Sequence, residues 1–249
     1  MQLRDRTILV TGGARGIGLA LTRRFLAEGA VVIAAGRDGE RLARLHAQHP
    51  RRVTAWPVDL ADPQQTDVFV RELPRRHPEL SVVVNNAGAQ TLTDFLADDV
   101  EALRPALRRE ISLNLDAVVA ISTGLLDHLR RQPSAAIVNV TSGLALAPKT
   151  SSPVYCATKA AVRSFTKALR YQCEDGAPNV QVIEAVMALA DTDMTAGRGA
   201  GKITPTEAAD EVVDAIRAGR REVYVDRAKL LPILMRVAPG LGERIMRRG

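Results

Sequence analysis

The sequence has few aromatic side chains: one tryptophan, three tyrosines and four phenylalanines, 3% of its 249 residues. Surfaces that hold single-stranded nucleic acid interleave aromatic stacking platforms with basic side chains, and that combination is missing. The net charge of +6 is carried mostly by arginine spread along the chain, with local pairs at Arg23-Arg24, Arg51-Arg52 and Arg108-Arg109. These read as solvated helix faces, and no nucleic-acid partner is expected. Cysteine is limited to Cys156 and Cys173. On a single helix their separation spans about 25 Å, against a ceiling of roughly 7 Å for a disulfide, so both are expected as free thiols. No apolar run approaches the roughly 20 residues of a membrane-spanning helix. Met1 to Arg6 lead directly into apolar Thr7-Ile8-Leu9-Val10 without room for a secretory signal, and the cytoplasm is the expected compartment. Internal repeats, low-complexity tracts and interdomain linkers are missing too.

With 46% hydrophobic and 25% charged side chains, the chain can bury a sizeable core, and residues 1–249 are expected to form one domain. Short β-branched runs at Thr7–Val10, Val31–Ala35, Val53–Trp56, Val82–Asn85, Ala136–Val140, Val180–Val186 and Glu222–Val225 read as strands. Between them, helical patterns cover Ile17–Glu28, Gly39–Gln48, Pro63–Arg76, Pro105–Arg131, Pro153–Glu174 and Pro205–Ala218, several opened by a proline near the first turn. The alternation predicts an α/β fold, a doubly wound and mostly parallel sheet of seven strands with helices on both faces. The glycine-rich Ala196-Gly197-Arg198-Gly199-Ala200-Gly201 falls late, between a strand and a helix, and reads as a mobile lid.

The first strand runs into Thr11-Gly12-Gly13-Ala14-Arg15-Gly16-Ile17-Gly18, where the helical pattern begins. Glycines allow a sharp turn and close approach to a diphosphate, and a helix N-terminus offers unpaired N–H groups to negative charge. The same run is compatible with a plain tight turn, and its Gly-x-x-x-Gly-x-Gly spacing differs from the Gly-x-Gly-x-x-Gly dinucleotide fingerprint. The second strand ends Ala34-Ala35-Gly36-Arg37. An acidic residue there would bind an adenosine ribose 2′-hydroxyl. Arg37, helped by Arg15, suits a 2′-phosphate instead, so NADP(H) is expected over NAD(H), although Arg37 beside Asp38 is also an ordinary surface arrangement. Asp59, within Val58-Asp59-Leu60, offers an acceptor for an adenine amino group or a helix cap. Asn85-Asn86-Ala87-Gly88 puts small residues and a permissive glycine at the end of the fourth strand, which suits backbone lying against a ribose and equally suits a turn.

Tyr155-Cys156-Ala157-Thr158-Lys159 stands near the start of a helix, with Ser142 thirteen residues earlier at a strand end. Residues four apart share a helix face, so the Lys159 ammonium is expected beside the Tyr155 phenol, lowering a pKa that is ordinarily about 10. A tyrosine tuned that way exchanges a proton with a carbonyl or hydroxyl oxygen near neutral pH, and Ser142 can hold the same oxygen.

These residues, in this order, resemble the short-chain dehydrogenase/reductase family in its compact, Rossmann-type form, over nearly the whole chain. Arg37 and the Asp191-Thr192-Asp193-Met194-Thr195 segment are closest to DltE-like bacterial oxidoreductases. The resemblance implies a catalytic set of Asn114, Ser142, Tyr155 and Lys159. Tyr155 would be the general acid/base, Lys159 would bind the nicotinamide ribose, and Asn114 would anchor a water that feeds protons to Lys159. It implies NADP(H) contacts from Gly12, Arg15, Gly16, Ile17, Gly18, Arg37, Asp59, Leu60, Asn86, Ala87, Gly88, Tyr155, Lys159 and Thr192, with no metal. One departure stands out: Met187-Ala188 occupies the place where the family usually has Pro-Gly or Pro-Pro.

The expected activity is hydride transfer between nicotinamide and a carbonyl or secondary-alcohol carbon. The alternative is a dinucleotide-sensing regulator on the same fold, which would have little need for all four catalytic residues. Pocket-lining residues are expected from Leu144–Ser152, Met187–Lys202 and the tail, whose apolar content suggests a largely apolar small-molecule substrate. The tail from Arg227 to Gly249 mixes apolar and basic residues. It is expected to cover the pocket or an oligomer interface, as in a homodimer or homotetramer; the alternative, an interfacial amphipathic segment touching anionic lipid, is set against Pro232 and Pro239-Gly240, which interrupt one continuous membrane helix.

Overall fold

A computed structural model describes residues 1–197, 199 and 201–247. Arg198 and Ala200 of the glycine-rich stretch, and Arg248 and Gly249 of the tail, lie outside the described residues. Strands β1 (Thr7–Thr11), β2 (Val31–Gly36), β3 (Val53–Pro57), β4 (Leu80–Asn85), β5 (Ala135–Ser142), β6 (Val180–Met187) and β7 (Glu222–Tyr224) form one sheet in the order β3-β2-β1-β4-β5-β6-β7. Every pairing is parallel. The strand order reverses between β1 and β4, and the crevice beyond the carboxyl ends of such a pair is where open α/β sheets take ligands.

Alternate side chains of each strand feed two cores, as expected of a sheet covered on both faces. On one face Ile8, Val10, Val32, Val82, Val138 and Ile183 pack with Leu21 and Phe25 of α1 (Gly16–Ala27) and Val212 and Ile216 of α8 (Pro205–Ala218). On the other, Leu9, Ile33, Val83, Ile137 and Val182 meet Phe69 and Leu73 of α3 (Pro63–Arg76), Ile121 of α5 (Ala117–Gly124) and Leu169 of α7 (Pro153–Gly176). Local chemistry starts and stops these helices. Asp38 caps α2 (Gly39–Gln48), Asp62 caps α3 before its first-turn proline, and Thr204 with Glu207 forms a capping box on α8, which ends at Gly219 with φ +66°. Cys156 and Cys173 are buried free thiols on α7.

The helix expected over Pro105–Arg131 is corrected. It begins at Val100, capped by Asp99, and Pro105 lies inside its first half. After α4 (Val100–Ile111) the chain widens into a π-turn at Ser112–Asp116, resumes as α5, and closes with the short α6 (Leu126–Leu129). The apolar periodicity runs through this region without a gap, so the widening was invisible in the pattern; such π-turns are frequent at functional positions. The tail folds into two short helices, α9 (Leu231–Val237) and α10 (Pro239–Arg247). Among the described residues, no helix is long and apolar enough to cross a membrane.

Candidate active site

A cavity of about 840 Å³ lies beyond the carboxyl ends of the strands and runs from the β1–α1 turn, past Ser142 and Tyr155, to the C-terminal helices. At the first end its wall is backbone. Gly12 and Gly16 hold φ of +67° and +51°, which other residues resist. A Cβ on Gly18 would stand 2.1 Å from the Gly12 carbonyl oxygen, so only glycine lets helix and strand close to this distance. The α1 N-terminus has no side-chain cap and no acidic residue in its first turn. Its N–H groups therefore face the cavity in competition with no carboxylate, and the turn fits a diphosphate. Arg15 and Arg37 border the same end; both are exposed, and neither makes an ion pair among the described residues. Arg41, by contrast, is held by Asp38 at 3.2 Å and Asp193 at 3.4 Å.

The loop after β4 is fixed from β1: the Thr11 hydroxyl oxygen accepts the N–H groups of Asn86 at 2.9 Å and Ala87 at 3.0 Å, while the Asn86 amide donates to the Thr11 carbonyl at 2.9 Å. Asn86, Ala87 and Gly88 reach the cavity, with Leu60 and Ile17. Asp59 does not. Nη2 of Arg109 donates to both of its carboxylate oxygens at 2.7 Å. The adenine-facing role expected for Asp59 therefore meets a carboxylate already engaged by an arginine that the sequence had placed on a solvated face.

Ser142, Tyr155 and Lys159 converge on the cavity wall between its ends. The Lys159 ammonium donates to the Val140 carbonyl at 2.8 Å and sits 5.7 Å from the Tyr155 ring centre. Burial pushes Lys159 down to about 8, with the nearby Glu110 pulling the other way. The expectation that Lys159 lowers the Tyr155 pKa is corrected: burial dominates and pushes the phenol up to about 12, against an opposing hydrogen bond with Ser142. The ammonium's contact with the ring is no substitute for solvation of the phenolate oxygen.

Asn114 is fully buried on the π-turn, behind the wall. Its Oδ1 accepts the Ala89 N–H at 2.9 Å, and its Nδ2 donates to the Ala89 carbonyl at 2.9 Å and to the Thr158 hydroxyl at 3.2 Å. A Cβ on Gly88 would lie 3.3 Å from Asn114 Oδ1 and 3.8 Å from Lys159 Nζ, so the loop, the π-turn and the lysine are close neighbours. Thr192 also lines the cavity, and its methyl group would meet a Cβ on Gly16 at 3.3 Å.

Sequence reasoning missed Glu110, four residues before Asn114 and 1% exposed. One carboxylate oxygen accepts the Thr91 N–H at 2.8 Å; the other is buried without a hydrogen-bond partner among the described residues, and burial raises its pKa. An acid directly after Arg108-Arg109, one helical turn ahead of Asn114, was the available signal. At its far end the cavity is closed by Leu144, Lys149, Met187 to Ala190 and side chains of the C-terminal segment, among them Leu231, Leu234 and Met246.

Comparison with known proteins agrees with this geometry. The family described as short chain dehydrogenase matches residues 6–202. The chain is 38% identical over 235 residues to the uncharacterized oxidoreductase DltE of Bacillus subtilis, covering 92% of this chain and 91% of that protein. It is 29% identical over 221 residues to meso-2,3-butanediol dehydrogenase of Serratia marcescens, covering 88% and 83%. A short chain dehydrogenase of Burkholderia cenocepacia, solved in complex with NADP, superposes with a TM-score of 0.85 at 26% identity, covering 99% of each chain. The seven-stranded parallel sheet, its glycine turn and the extent of these matches lead to one conclusion: this chain belongs to the short-chain dehydrogenase family of oxidoreductases.

Proposed function

We propose that residues 1–249 act as one NADP(H)-dependent oxidoreductase domain that interconverts a carbonyl and a secondary alcohol, with Tyr155 as general acid/base. The observation that carries this reading is the convergence of Ser142, Tyr155 and Lys159 on the wall of a cavity whose other end is a glycine-lined helix N-terminus. NADP(H), when bound, supplies or accepts the hydride at its nicotinamide. Gly12, Gly16 and Gly18 with the α1 N-terminus would hold its diphosphate; Asn86, Ala87 and Gly88 would border its ribose, and Thr192 its nicotinamide. Arg15 and Arg37 would carry the adenosine 2′-phosphate. The absence of an acid at the β2 end and the NADP held by the Burkholderia relative support that preference.

In the reductive direction, Ser142 would hold the substrate carbonyl oxygen by a hydrogen bond, and the Tyr155 hydroxyl would pass its proton to that oxygen as negative charge grows there. A phenol pushed up to about 12 keeps this proton at neutral pH, the form reduction requires. Lys159 would orient the ribose and keep positive charge beside the tyrosine, while Asn114 and the Ala89 backbone fix the floor on which a proton-carrying water could stand. The apolar side chains at the far end favour a largely apolar substrate. The test is NADPH consumption with a panel of apolar ketones and aldehydes. Turnover that vanishes in Tyr155→Phe supports the reading, and a chain that binds NADPH but turns over nothing in the panel is a dinucleotide-sensing protein instead.

A further inference from the structure

The inner sides of α9 and α10 cover the cavity, as the sequence led one to expect: Leu231, Leu234 and Met246 line it, and a Cβ on Gly143 would meet Leu231 at 2.6 Å and Met246 at 3.7 Å. Their outer sides are left unexplained. Leu230, Ile233, Val237, Leu241 and Ile245 recur every three or four residues, and each is between 49% and 78% exposed. Ile233 and Val237 of α9, Leu241 and Ile245 of α10, and Leu230 immediately before α9 give an exposed aliphatic patch of the kind that marks an interaction surface.

Charge around the patch is mostly positive. Arg236, Arg244 and Arg247 are exposed, and none makes an ion pair among the described residues, whereas Lys229 is paired with Glu211 and Arg227 lines the cavity beside Gly201. Elsewhere the exposed faces are laced with such pairs, as for Arg41 with Asp38, Arg104 with Glu101 and Arg130 with Asp127. From Arg227 to Arg247 the only acidic residue is Glu243. Leu230 and Ile245 belong both to the patch and to the cavity lining, so the mouth of the cavity opens within it. An apolar patch ringed by unpaired cations matches a surface that is apolar at depth and anionic at its rim. A second copy of the chain is a poorer match, because a two-fold contact through this face would bring the same arginines together with few carboxylates between them.

We propose that the outer face of α9 and α10 docks on an anionic lipid bilayer, its aliphatic side chains entering the headgroup–acyl boundary, its arginines meeting lipid phosphates, and the cavity mouth facing the membrane. The docking is independent of the reaction and is read without cofactor or substrate. The experiment is flotation of the full chain with vesicles of phosphatidylcholine alone and of phosphatidylcholine mixed with phosphatidylglycerol, at low and raised salt. The chain should float with the mixed vesicles, weakly or not at all with the neutral ones, and less at raised salt. Ile233→Asp with Val237→Asp should abolish flotation, and Arg236→Gln with Arg244→Gln should lower the partition coefficient roughly tenfold or more. None of these four side chains lines the cavity, and circular dichroism and thermal melting confirm the fold of each variant. Should the acidic pair fail to fold, the glutamine pair decides alone. Absence of flotation with anionic vesicles, equal flotation with neutral ones, or unchanged binding by folded variants overturns the proposal. A non-floating chain whose oligomer dissociates in the acidic variant assigns the face to a second copy.

Discussion

At the glycine-turn end of the cavity the wall is backbone: a Cβ on Gly18 would lie 2.1 Å from the Gly12 carbonyl oxygen and 2.6 Å from the Asn86 amide nitrogen. At the C-terminal end the wall is side chain, supplied by Met187 at the end of β6 and by Leu231, Leu234 and Met246 from two short helices. The first end takes its shape from strand ends locked into a seven-stranded sheet, so a change there has to move backbone. The second can be reshaped one side chain at a time without moving the sheet. Such a division lets a family keep one cofactor and vary its substrates.

The sharpest way to break this division is at the seam, where Tyr155 stands between the two ends. Tyr155→Phe removes one hydroxyl and leaves both walls intact. Turnover should fall roughly 100-fold or more while NADPH affinity, followed by fluorescence titration, stays near that of the native protein. Activity that survives the change would mean that the proton comes from another group and that the ends do not meet at Tyr155.

The glycine-turn end alone is probed by Arg37→Ala. Loss of a charge-assisted contact to a 2′-phosphate should weaken NADPH by about 1.5–3 kcal/mol and leave NADH nearly unchanged. Equal losses for both cofactors, or none, would remove Arg37 from the site and with it the basis for an NADP(H) preference.

Lys159 tests what the seam costs the empty protein. Its ammonium is pushed down to about 8 by burial, from an ordinary value of 10.5. Below about pH 8 the folded protein therefore carries a buried charge at a penalty of about 3 kcal/mol, and the penalty is relieved as pH rises toward 10.5, where the unfolded chain binds the extra proton. Lys159→Met should abolish turnover yet raise stability near neutral pH by about 2 kcal/mol, after allowing about 1 kcal/mol for the lost hydrogen bond to the Val140 carbonyl. Denaturant melts at neutral and alkaline pH check it: the advantage of the variant should shrink as pH rises. Comparing the two proteins cancels Tyr155, Cys156 and Cys173, whose raised pKa values act in the opposite direction at alkaline pH. An advantage that is absent or independent of pH would show that the ammonium is well solvated or paired in the folded state.

The two ends also differed in how much could be read before folding. β-branched runs and flanking glycines located the strands, because burial on both faces leaves a plain apolar signature, and the Gly12–Gly18 turn followed from its place between strand and helix. Tyr155 and Lys159 are neighbours on one helix, so spacing alone paired them. What spacing could not show was desolvation, which reverses the expected direction for Tyr155 because burial is a property of the assembled wall. Asp59 and Arg109 are fifty residues apart, and their contact depends on how α4 leans against the turn after β3. Asn114 was recognised by resemblance, but the π-turn that aims it breaks no apolar period. In the tail, composition disclosed an amphipathic mixture, while the assignment of Leu231 to the cavity and Ile233 to solvent needed the helix break at Ala238.

The smallest effect, and the one that most refines the contrast between the ends, concerns Met187-Ala188. Met187 is buried at the end of β6 and lines the cavity, and Ala188 has no positive φ, so the backbone here does not require the glycine that the family pattern often has. The base of the following loop is pinned: the Ile203 N–H donates to the Leu189 carbonyl at 3.0 Å, the Asp191 N–H to the Ile203 carbonyl at 2.9 Å, and Lys202 to the Thr195 carbonyl at 2.8 Å. The glycine-rich stretch read as a mobile lid lies between these pins, and among its described residues Gly197, Gly199 and Gly201 hold positive φ. Hydrogen exchange should be slow at Asp191 and Ile203, faster at Gly197, Gly199 and Gly201, and slowed at those glycines by NADPH with substrate. Met187→Pro with Ala188→Gly should exchange side-chain volume for a ring at the substrate end. Relative activity across a ketone panel should shift by roughly tenfold, the scale of a methylene-sized change in a pocket. NADPH affinity should move far less, because the contacts proposed for its phosphates lie on the loops after β1 and β2 and those for its ribose on the loop after β4 and at Lys159 of α7. A double variant that leaves the panel untouched while greatly changing NADPH affinity would make this loop part of the cofactor end, and the line between the two ends would have to be drawn beyond Ala188.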